Sequence, residues 1–238
     1  TVGVLFLDAS SGSNVPLQTA ANCSFISNSI AGNWYGEVVD RQAGGSLPAP
    51  GANLKNFSGN WLGTNSPVVT IANSAEPGYA AQIPVFYGGT SVNPGGAPTI
   101  AGPASANIDY TPWLDVGTDT SPAFGFQGDF TTLHVDDNSS QVGAVTRIQE
   151  GVNMVSGSTV LVEPGSYSEN VSIKSKVTID GAGSGTGAGD SIVTAANAAL
   201  PVFLVTDAGG TGAGDRLTIK DLRVTEVLSL EAALEELS

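Results

Sequence analysis

Two copies of one glycine-rich hexapeptide carry the residues whose type and spacing best fit a chemical role. Gly-Thr-Gly-Ala-Gly-Asp occupies residues 185–190 and recurs at 210–215, an offset of 210 − 185 = 25. Glycine-rich backbone presents carbonyl oxygens, and Asp190 and Asp215 add carboxylates, which are the oxygen ligands that Ca²⁺ prefers. The hexapeptides are therefore candidate calcium loops whose aspartates stack one repeat apart. The alternative is that both are ordinary turns.

Acidic residues also gather in the middle of the chain. Asp136 and Asp137 are adjacent, and three further aspartates precede them at positions 115, 119 and 129. Bound calcium would rigidify such a junction by neutralising its clustered carboxylates. A solvated acidic linker without metal is the alternative. The candidate metal ligands of the whole chain are thus Asp136, Asp137, Asp190 and Asp215.

Residues suited to catalysis do not form a recognisable set. His134 is the sole histidine, and neither a nucleophilic serine motif nor a second metal ligand accompanies it, so a surface or linker histidine is expected. Polysaccharide hydrolysis needs paired carboxyl groups, and β-elimination needs calcium-bound carboxylates with a base. Lys174 and Lys176, and the charged cluster at 216–223, are expected on a solvated outer face, and a carbohydrate-binding groove is the alternative for the cluster. We assign no catalytic residue and no organic cofactor.

The charge balance excludes several classes of partner. The formal net charge is −14, with only 8 lysines and arginines in 238 residues. Nucleic-acid phosphates are bound by clustered basic side chains, so a nucleic-acid partner is not expected. Insertion into a membrane is not expected either, because the sequence contains no apolar run of eighteen residues. Cys23 is the only cysteine, which rules out a disulfide within the chain.

Short β-branched runs must position these residues. Between 159 and 224, runs such as Thr-Val-Leu-Val and Ser-Ile-Val-Thr alternate with Gly, Pro, Asp or Asn, which is typical of strands separated by tight turns. A second similarity relates Asn33-Trp34 to Asn60-Trp61, with an offset of 60 − 33 = 27. Repeats in the twenties predict a β-solenoid, in which asparagines of successive turns can stack on one another.

Two amphipathic stretches interrupt the strand pattern. Apolar residues at i, i+3, i+7 and i+10 predict a short helix near 144–156, and Thr146 and Gln149 have the spacing of a capping box. A helix before the first strand of a solenoid would cover the apolar end of its core. A second stripe predicts a C-terminal helix near 229–238.

Three consecutive motifs follow one another from the predicted helix into the first strands. They are Ile-Gln-Glu-Gly-Val-Asn at 148–153, Gly-Ser-Thr-Val-Leu-Val at 157–162 and Pro-Gly-Ser-Tyr-Ser-Glu-Asn-Val at 164–171. The series resembles the opening turn of right-handed parallel β-helix (pectin-lyase-like) proteins. Upstream, Gly-Asn-Trp at 32–34 and 59–61 and Asp-Tyr-Thr-Pro-Trp-Leu at 109–114 resemble the closing turns of such domains in very large, multi-domain bacterial surface proteins.

This resemblance implies an all-β fold made of two parallel β-helix segments. Closing turns are expected at 1–115, an acidic junction at 116–143, and a capping helix with opening turns at 144–238. The chain is expected to be a piece of an extracellular or cell-surface protein, acting as a non-catalytic scaffold or adhesin-like segment that binds surface glycans or self-associates end to end. Relatives with this fold include polysaccharide lyases and hydrolases, so an enzyme fragment or a carbohydrate-binding module is the alternative.

Overall fold

The computed structural model of the chain describes residues 2–6, 20–33, 36–42, 51–70, 99–102, 104–155, 157–207 and 212–225. Short β-strands dominate these residues, together with one α-helix and two 3-10 turns. The described chain is therefore mostly β, in agreement with the predicted all-β class. Within these ranges, no helix is long and apolar enough to cross a membrane.

The chain divides into two compact units. Unit 1 comprises residues 1–129 and 139–144, and unit 2 comprises 130–138 and 145–238. The segment predicted as an acidic junction, 116–143, is thus shared between the two units. Each unit has a hydrophobic core of its own.

The described part of unit 1 contains very short strands. They are β1 (Val4–Phe6), β2 (Val38–Asp40), β3 (Lys55–Asn56), β4 (Val69–Thr70), β5 (Ile100–Ala101), β6 (Ile108–Asp109) and β7 (Trp113–Leu114). Parallel pairing joins β1 to β2, β2 to β5 and β5 to β4, and a separate parallel pair joins β3 to β6. Val4, Val38 and Ile100 are in register, so their side chains lie on one face of the sheet.

A bridge in unit 1 corrects the repeat inferred from the sequence. Ser29 pairs with Trp61 in parallel, an offset of 61 − 29 = 32 rather than 27. Asn60 therefore contacts Asn28 and not Asn33. Its Oδ1 accepts hydrogen bonds from the Asn28 backbone N–H at 2.8 Å and from the Asn28 side chain at 3.1 Å. The predicted contact between asparagines exists, but with a partner that the sequence repeat did not indicate.

Aromatic side chains fill much of the core of unit 1. The rings of Phe25 and Phe57 are stacked with centroids 4.8 Å apart, and Phe6 meets both rings edge-on. Tyr110 and Trp113 are buried, with ring centroids 5.6 Å apart. Large rings bury much apolar area per residue, which stabilises a unit whose described strands are only two or three residues long.

An ion pair is buried in the same unit. Lys55 Nζ lies 2.6 Å from Asp40 Oδ2, and neither side chain is exposed to solvent. The ammonium group also donates to the Asn53 carbonyl at 3.0 Å and lies 4.9 Å from the centre of the Phe6 ring. Asp40 accepts a further bond from Gln42 N at 2.8 Å. Both charges thus have several partners, which buried ions require.

Unit 2 contains β8 (Thr132–Val135), helix α1 (Arg147–Met154) and a longer series of strands. The series is β9 (Thr159–Val162), β10 (Gly165–Ser168), β11 (Val171–Ile173), β12 (Thr178–Gly183), β13 (Ser191–Thr194), β14 (Phe203–Val205) and β15 (Thr218–Thr225). Helix α1 lies within the predicted bounds 144–156. The helix predicted near 229–238 lies outside the described residues.

The strands of unit 2 pair in a repeating order. β9 is parallel to β8 and to β12, β10 is parallel to β13, and β11 is parallel to β14. The single strand β15 pairs with β12 as far as Leu222 and with β13 from Arg223 onwards. The chain therefore places β12, β13 and β14 beside β9, β10 and β11 in the same order.

Alternate side chains of these strands form the core of unit 2. Buried members include Val160, Val162, Val171, Ile173, Ile179 and Val193. Ile148 and Val152 of α1 belong to the same cluster, so the helix covers one side of it. Gly151 permits this close packing, because a Cβ atom there would lie 3.0 Å from the side chains of Val135 and Val160.

One corner of unit 2, where the chain turns from one strand direction to the next, contains different numbers of residues in neighbouring strands. Gly183 is in register with Leu222, and Ile192 is in register with Arg223. Adjacent residues of β15 therefore pair with residues that are 192 − 183 = 9 positions apart. The loop between β12 and β13 has no counterpart in β15, which makes this corner with Asp221 in a left-handed conformation at φ 53°.

Candidate functional site

Asp190 organises the first glycine-rich loop. Its carboxylate accepts hydrogen bonds from the backbone N–H groups of Gly185 at 3.0 Å and Gly187 at 2.7 Å, one on each oxygen. A Cβ atom on Gly185 would lie 2.6 Å from the same carboxylate, so alanine does not fit there unless Asp190 moves. The aspartate thus closes the loop that contains it.

Asp215 lies at a different corner from Asp190. It ends a short 3-10 turn, Ala213–Asp215, and its Oδ1 lies 3.9 Å from Lys176 Nζ. Thr218, which follows Asp215, is in register with Thr178 at the start of β12, whereas Asp190 follows the end of β12. The predicted stacking of the two aspartates is therefore wrong. The first hexapeptide connects β12 to β13, whereas the second precedes β15, because a glycine-rich turn is compatible with either connection.

Asp136 and Asp137 follow β8 and hold the turns around its end. Asp136 Oδ1 accepts bonds from the backbone N–H and the side-chain amide of Asn138, each at 2.9 Å. Asp137 Oδ2 accepts a bond from Ser166 N at 2.7 Å, which ties the end of β8 to β10. An alanine does not fit at position 165 unless Asp137 moves, because a Cβ atom on Gly165 would overlap the Asp137 carboxylate.

A histidine, a glutamate and a tyrosine adjoin these aspartates. His134 is buried in β8 with Nδ1 2.7 Å from Glu163 Oε1. The prediction of a surface or linker histidine is wrong, because the strand that carries it is paired with β9. Tyr167 OH donates to the Glu163 carbonyl at 2.8 Å. Burial, together with the charges of Asp136 and Asp137, raises the pKa of the Tyr167 phenol, which therefore stays protonated.

Asp136, Asp137 and Glu163, with the backbone of Asp190, form what we call the acidic corner of unit 2. Gly165 N donates to the Asp190 carbonyl at 3.0 Å, which brings the first hexapeptide to this corner. Across the ranges described above, no three histidine, cysteine, aspartate or glutamate side chains converge as a metal site. Calcium binding at Asp136, Asp137, Asp190 or Asp215 stays a prediction.

Gln149 completes the edge of β11 that faces the helix. Its Oε1 accepts a hydrogen bond from Ser172 N at 2.6 Å, and its Nε2 donates to Ser172 O at 3.1 Å. The side-chain amide thus offers Ser172 the donor and the acceptor that a neighbouring strand would offer. The predicted capping box is wrong, because the Thr146 side chain makes no capping bond to the helix.

Glu169 caps α1 instead, a role that the sequence did not indicate. Its carboxylate accepts bonds from Ile148 N at 3.1 Å and Gln149 N at 3.3 Å, and the residue is 2% exposed. Burial raises the pKa of Glu169, and hydrogen bonds from Thr146 and these amides, with the charge of Arg147, oppose the rise only in part. The only sequence signal for this role is the place of Glu169 in the motif at 164–171.

An open groove lies beside the helix. Its volume is about 440 Å³, and its lining consists of Gln149, Val152, Asn153, Ser172, Lys174 and Ser175. Gln149 Nε2 donates to Asn153 Oδ1 at 2.9 Å, so the two amides are joined along one wall. Lys174 is the charged side chain of the lining. Amide, hydroxyl and ammonium groups in one concave surface can bind hydroxylated or anionic molecules.

The lysines and arginines between positions 174 and 223 are all exposed, as predicted for an outer face. Lys220 Nζ lies 2.8 Å from Asp180 and 3.5 Å from Asp221. The hydrogen bond that Lys220 donates to Asp180, together with the charges of both aspartates, raises the pKa of Lys220. This basic group is therefore engaged by one carboxylate on the neighbouring strand β12 and by one on its own strand.

Asp136 and Asp137 of the acidic corner and Gln149 of the groove each accept a hydrogen bond from a backbone N–H group of a neighbouring strand or turn. No protein-family model, no curated protein and no solved structure matches this chain.

Proposed function

We propose that unit 2 is the opening segment of a right-handed parallel β-helix, with α1 as its cap. Two observations support this architecture. The consecutive strands β9, β10 and β11 pair in parallel and in order with β12, β13 and β14. Gln149 of the helix makes the backbone-like bonds to Ser172 that an earlier strand would otherwise make. Unit 1 is proposed to be the closing segment of a second such β-helix.

We further propose that the protein is a non-catalytic scaffold segment of an extracellular or cell-surface protein. One observation carries this proposal: in unit 2 several carboxylates suited to chemistry accept hydrogen bonds from backbone N–H groups. Asp137 holds Ser166, Asp190 holds two glycines and Glu169 holds the start of α1. Carboxylates used in this way fix the geometry of turns. The extracellular location rests on the resemblance of the upstream motifs at 32–34, 59–61 and 109–114 to the closing turns of such domains in bacterial surface proteins.

The alternative is a carbohydrate-binding module or a fragment of a polysaccharide-active enzyme. The groove between α1 and β11 favours it, because amide and hydroxyl groups with Lys174 suit a sugar carboxylate. If the groove binds glycans, Lys174→Ala removes its charged group and weakens binding to acidic glycans. Lys176→Ala removes an exposed lysine outside the groove lining and is the matched control.

The test compares cleavage with binding on the same panel of acidic polysaccharides. The protein is incubated with pectate and alginate in the presence of Ca²⁺, and new reducing ends and unsaturated products are measured. A scaffold releases no product. Product release contradicts the scaffold proposal, and binding without release that Lys174→Ala abolishes and Lys176→Ala preserves identifies a carbohydrate-binding module. Surface labelling of the intact protein in its own cells tests the location.

A further inference from the structure

The groove beside α1 lies along a strand edge that the helix covers only in part. Ile173 O accepts a hydrogen bond at 3.0 Å from the N–H group of Thr206, which follows β14, so this carbonyl points towards β14. The Ile173–Lys174 peptide bond is trans, and the N–H group of a trans peptide points opposite to its carbonyl. Lys174 N–H is therefore directed away from β14, to the same side as the Ser172 N–H group that Gln149 binds.

Helix α1 presents two side-chain amides to this edge, and only one of them reaches the backbone. Four residues of a helix rise about 6 Å and two residues of a strand rise about 6.5 Å, so Asn153 lies beside Lys174 one turn beyond Gln149. Gln149 binds the Ser172 backbone with both ends of its amide. Asparagine is shorter by one methylene group, and the Asn153 side chain bonds to Gln149 instead. The groove is the gap that results.

The groove offers more hydrogen-bond donors than acceptors. Among the described residues, Lys174 forms no hydrogen bond or ion pair, and the Asn153 side chain forms only the bond that it accepts from Gln149 Nε2 at 2.9 Å. The Lys174 N–H group, its ammonium group and Asn153 Nδ2 are thus available as donors. Ser172 and Ser175 add hydroxyl groups. None of the described lining residues is acidic, although the formal net charge of the chain is −14.

We propose that this groove binds a carboxylate group, with Lys174 donating from its ammonium and backbone N–H groups and Asn153 Nδ2 donating to the second oxygen. A carboxylate accepts hydrogen bonds on both oxygens and carries the charge that complements a lysine. A sugar acid and the C-terminus of a peptide both present this group. The inference deepens the binding alternative proposed for this groove, on which it rests, and it is compatible with a non-catalytic scaffold.

NMR titration of the isotope-labelled full chain tests which group is recognised. The probes are glucuronate, glucose and acetyl-dialanine, which are a sugar with a carboxylate, a sugar without one and a peptide with one. We expect the acids, and not glucose, to shift the backbone amide signal of Lys174 and the side-chain amide signals of Asn153. Shifts with only one acid assign the carboxylate to that source. Equal shifts with glucose, or no shifts with either acid, overturn the proposal.

Two substitutions disable the groove in different ways. Asn153→Gln lengthens the side chain so that its amide reaches Lys174 N–H and fills the gap, whereas Lys174→Met removes the charge and keeps most of the side-chain length. Each is expected to raise the dissociation constant for the acid about tenfold or more. Lys176→Met removes a lysine outside the lining and is the matched control, with an unchanged constant.

The remaining amide signals of each variant show whether it is folded. Binding that survives both Asn153→Gln and Lys174→Met places the carboxylate elsewhere and overturns the proposal. The NMR shifts do not depend on glycan cleavage, so the scaffold function and the carboxylate site fail separately.

Discussion

Glu169 and Lys55 each place a charge where water does not reach. Burial of an ionised group is costly unless hydrogen bonds replace its hydration. Lys55 forms an ion pair with Asp40, and Glu169 accepts hydrogen bonds from backbone amides of α1. Neither partnership could be predicted from the sequence, because positions 40 and 55, or 148 and 169, follow no local spacing rule. Strand pairing and helix docking bring these groups together, and that information belongs to the fold.

Removal of Lys55 leaves Asp40 as an uncompensated buried carboxylate. We expect Lys55→Met to lower the free energy of unfolding by about 3–5 kcal/mol, the usual cost of breaking a buried pair. Asp40→Asn combined with Lys55→Met removes both charges and recovers most of the loss. Chemical denaturation monitored by tryptophan fluorescence measures both variants. A double variant no more stable than the single one would show that packing, rather than charge, causes the loss.

The raised pKa of Glu169 predicts that the free energy of unfolding depends on pH, and it fixes the sign of that dependence. Its pKa is higher in the folded chain than in the unfolded chain, so folding favours the protonated form. The stability that Glu169 contributes is therefore greatest at low pH and falls as pH rises through the raised pKa. We expect wild type to gain stability relative to Glu169→Gln when the pH falls from neutral towards the ordinary pKa of a glutamate.

Two substitutions at position 169 distinguish the effect of the charge from the effect of helix capping. Glu169→Ala removes the acceptor for Ile148 N and Gln149 N and is expected to destabilise unit 2 by about 1–2 kcal/mol at neutral pH. Glu169→Gln keeps one acceptor oxygen and loses less. Urea denaturation followed by circular dichroism gives these differences across the pH range. Parallel pH curves for wild type and Glu169→Gln would contradict the assigned direction of the pKa shift.

At the scale of elements, the sequence located strands better than it located their register. The Ser-Ile-Val-Thr run coincides with β13, and the Thr-Val-Leu-Val run coincides with β9. A run of β-branched residues between glycine and proline is a local signal, and such a signal locates a strand from the sequence alone. Strand β15 continues from Thr218 to Thr225, because Asp221 turns the corner without a loop.

The strand register predicted from the sequence was wrong because the repeated residues belong to turns and not to core positions. The offset of 25 relates two glycine-rich turns that lie at different corners. In unit 1 the observed offset of 32 instead aligns Ile30 with Leu62, both of which are buried. Core side chains fix strand pairing, since a slip of one residue would turn them to the other face.

The loop at 185–190 is the element on which the calcium prediction is tested. If Ca²⁺ binds there, its addition raises the thermal midpoint of wild type relative to a chelator, by about 4–8 °C for each 1 kcal/mol of stabilisation. Asp190→Asn keeps one oxygen acceptor for the loop amides and removes the charge, so the calcium-dependent shift should shrink. Asp215→Asn tests the second hexapeptide in the same way. Equal midpoints with calcium and with chelator would eliminate both sites.

At the scale of the molecule, two units with separate cores predict two unfolding transitions. Trp61 and Trp113 belong to unit 1, whereas residues 130–238 contain no tryptophan. Tryptophan fluorescence therefore reports on unit 1 alone, and circular dichroism reports on both units. We expect Lys55→Met to move the fluorescence transition and Glu169→Ala to leave it in place. A fluorescence midpoint that follows Glu169→Ala would show that the chain unfolds as one cooperative body.

The unequal corner between β12 and β15 has a practical consequence. Between β12 and β13 the chain turns through a loop that Asp190 organises, whereas inside β15 it turns at Asp221 alone. The pairing of the flanking strands therefore does not depend on how many residues form the turn. Residues 184–189 are exposed. A foreign peptide grafted into this stretch would be displayed to antibodies or receptors while the supporting strands keep their pairing.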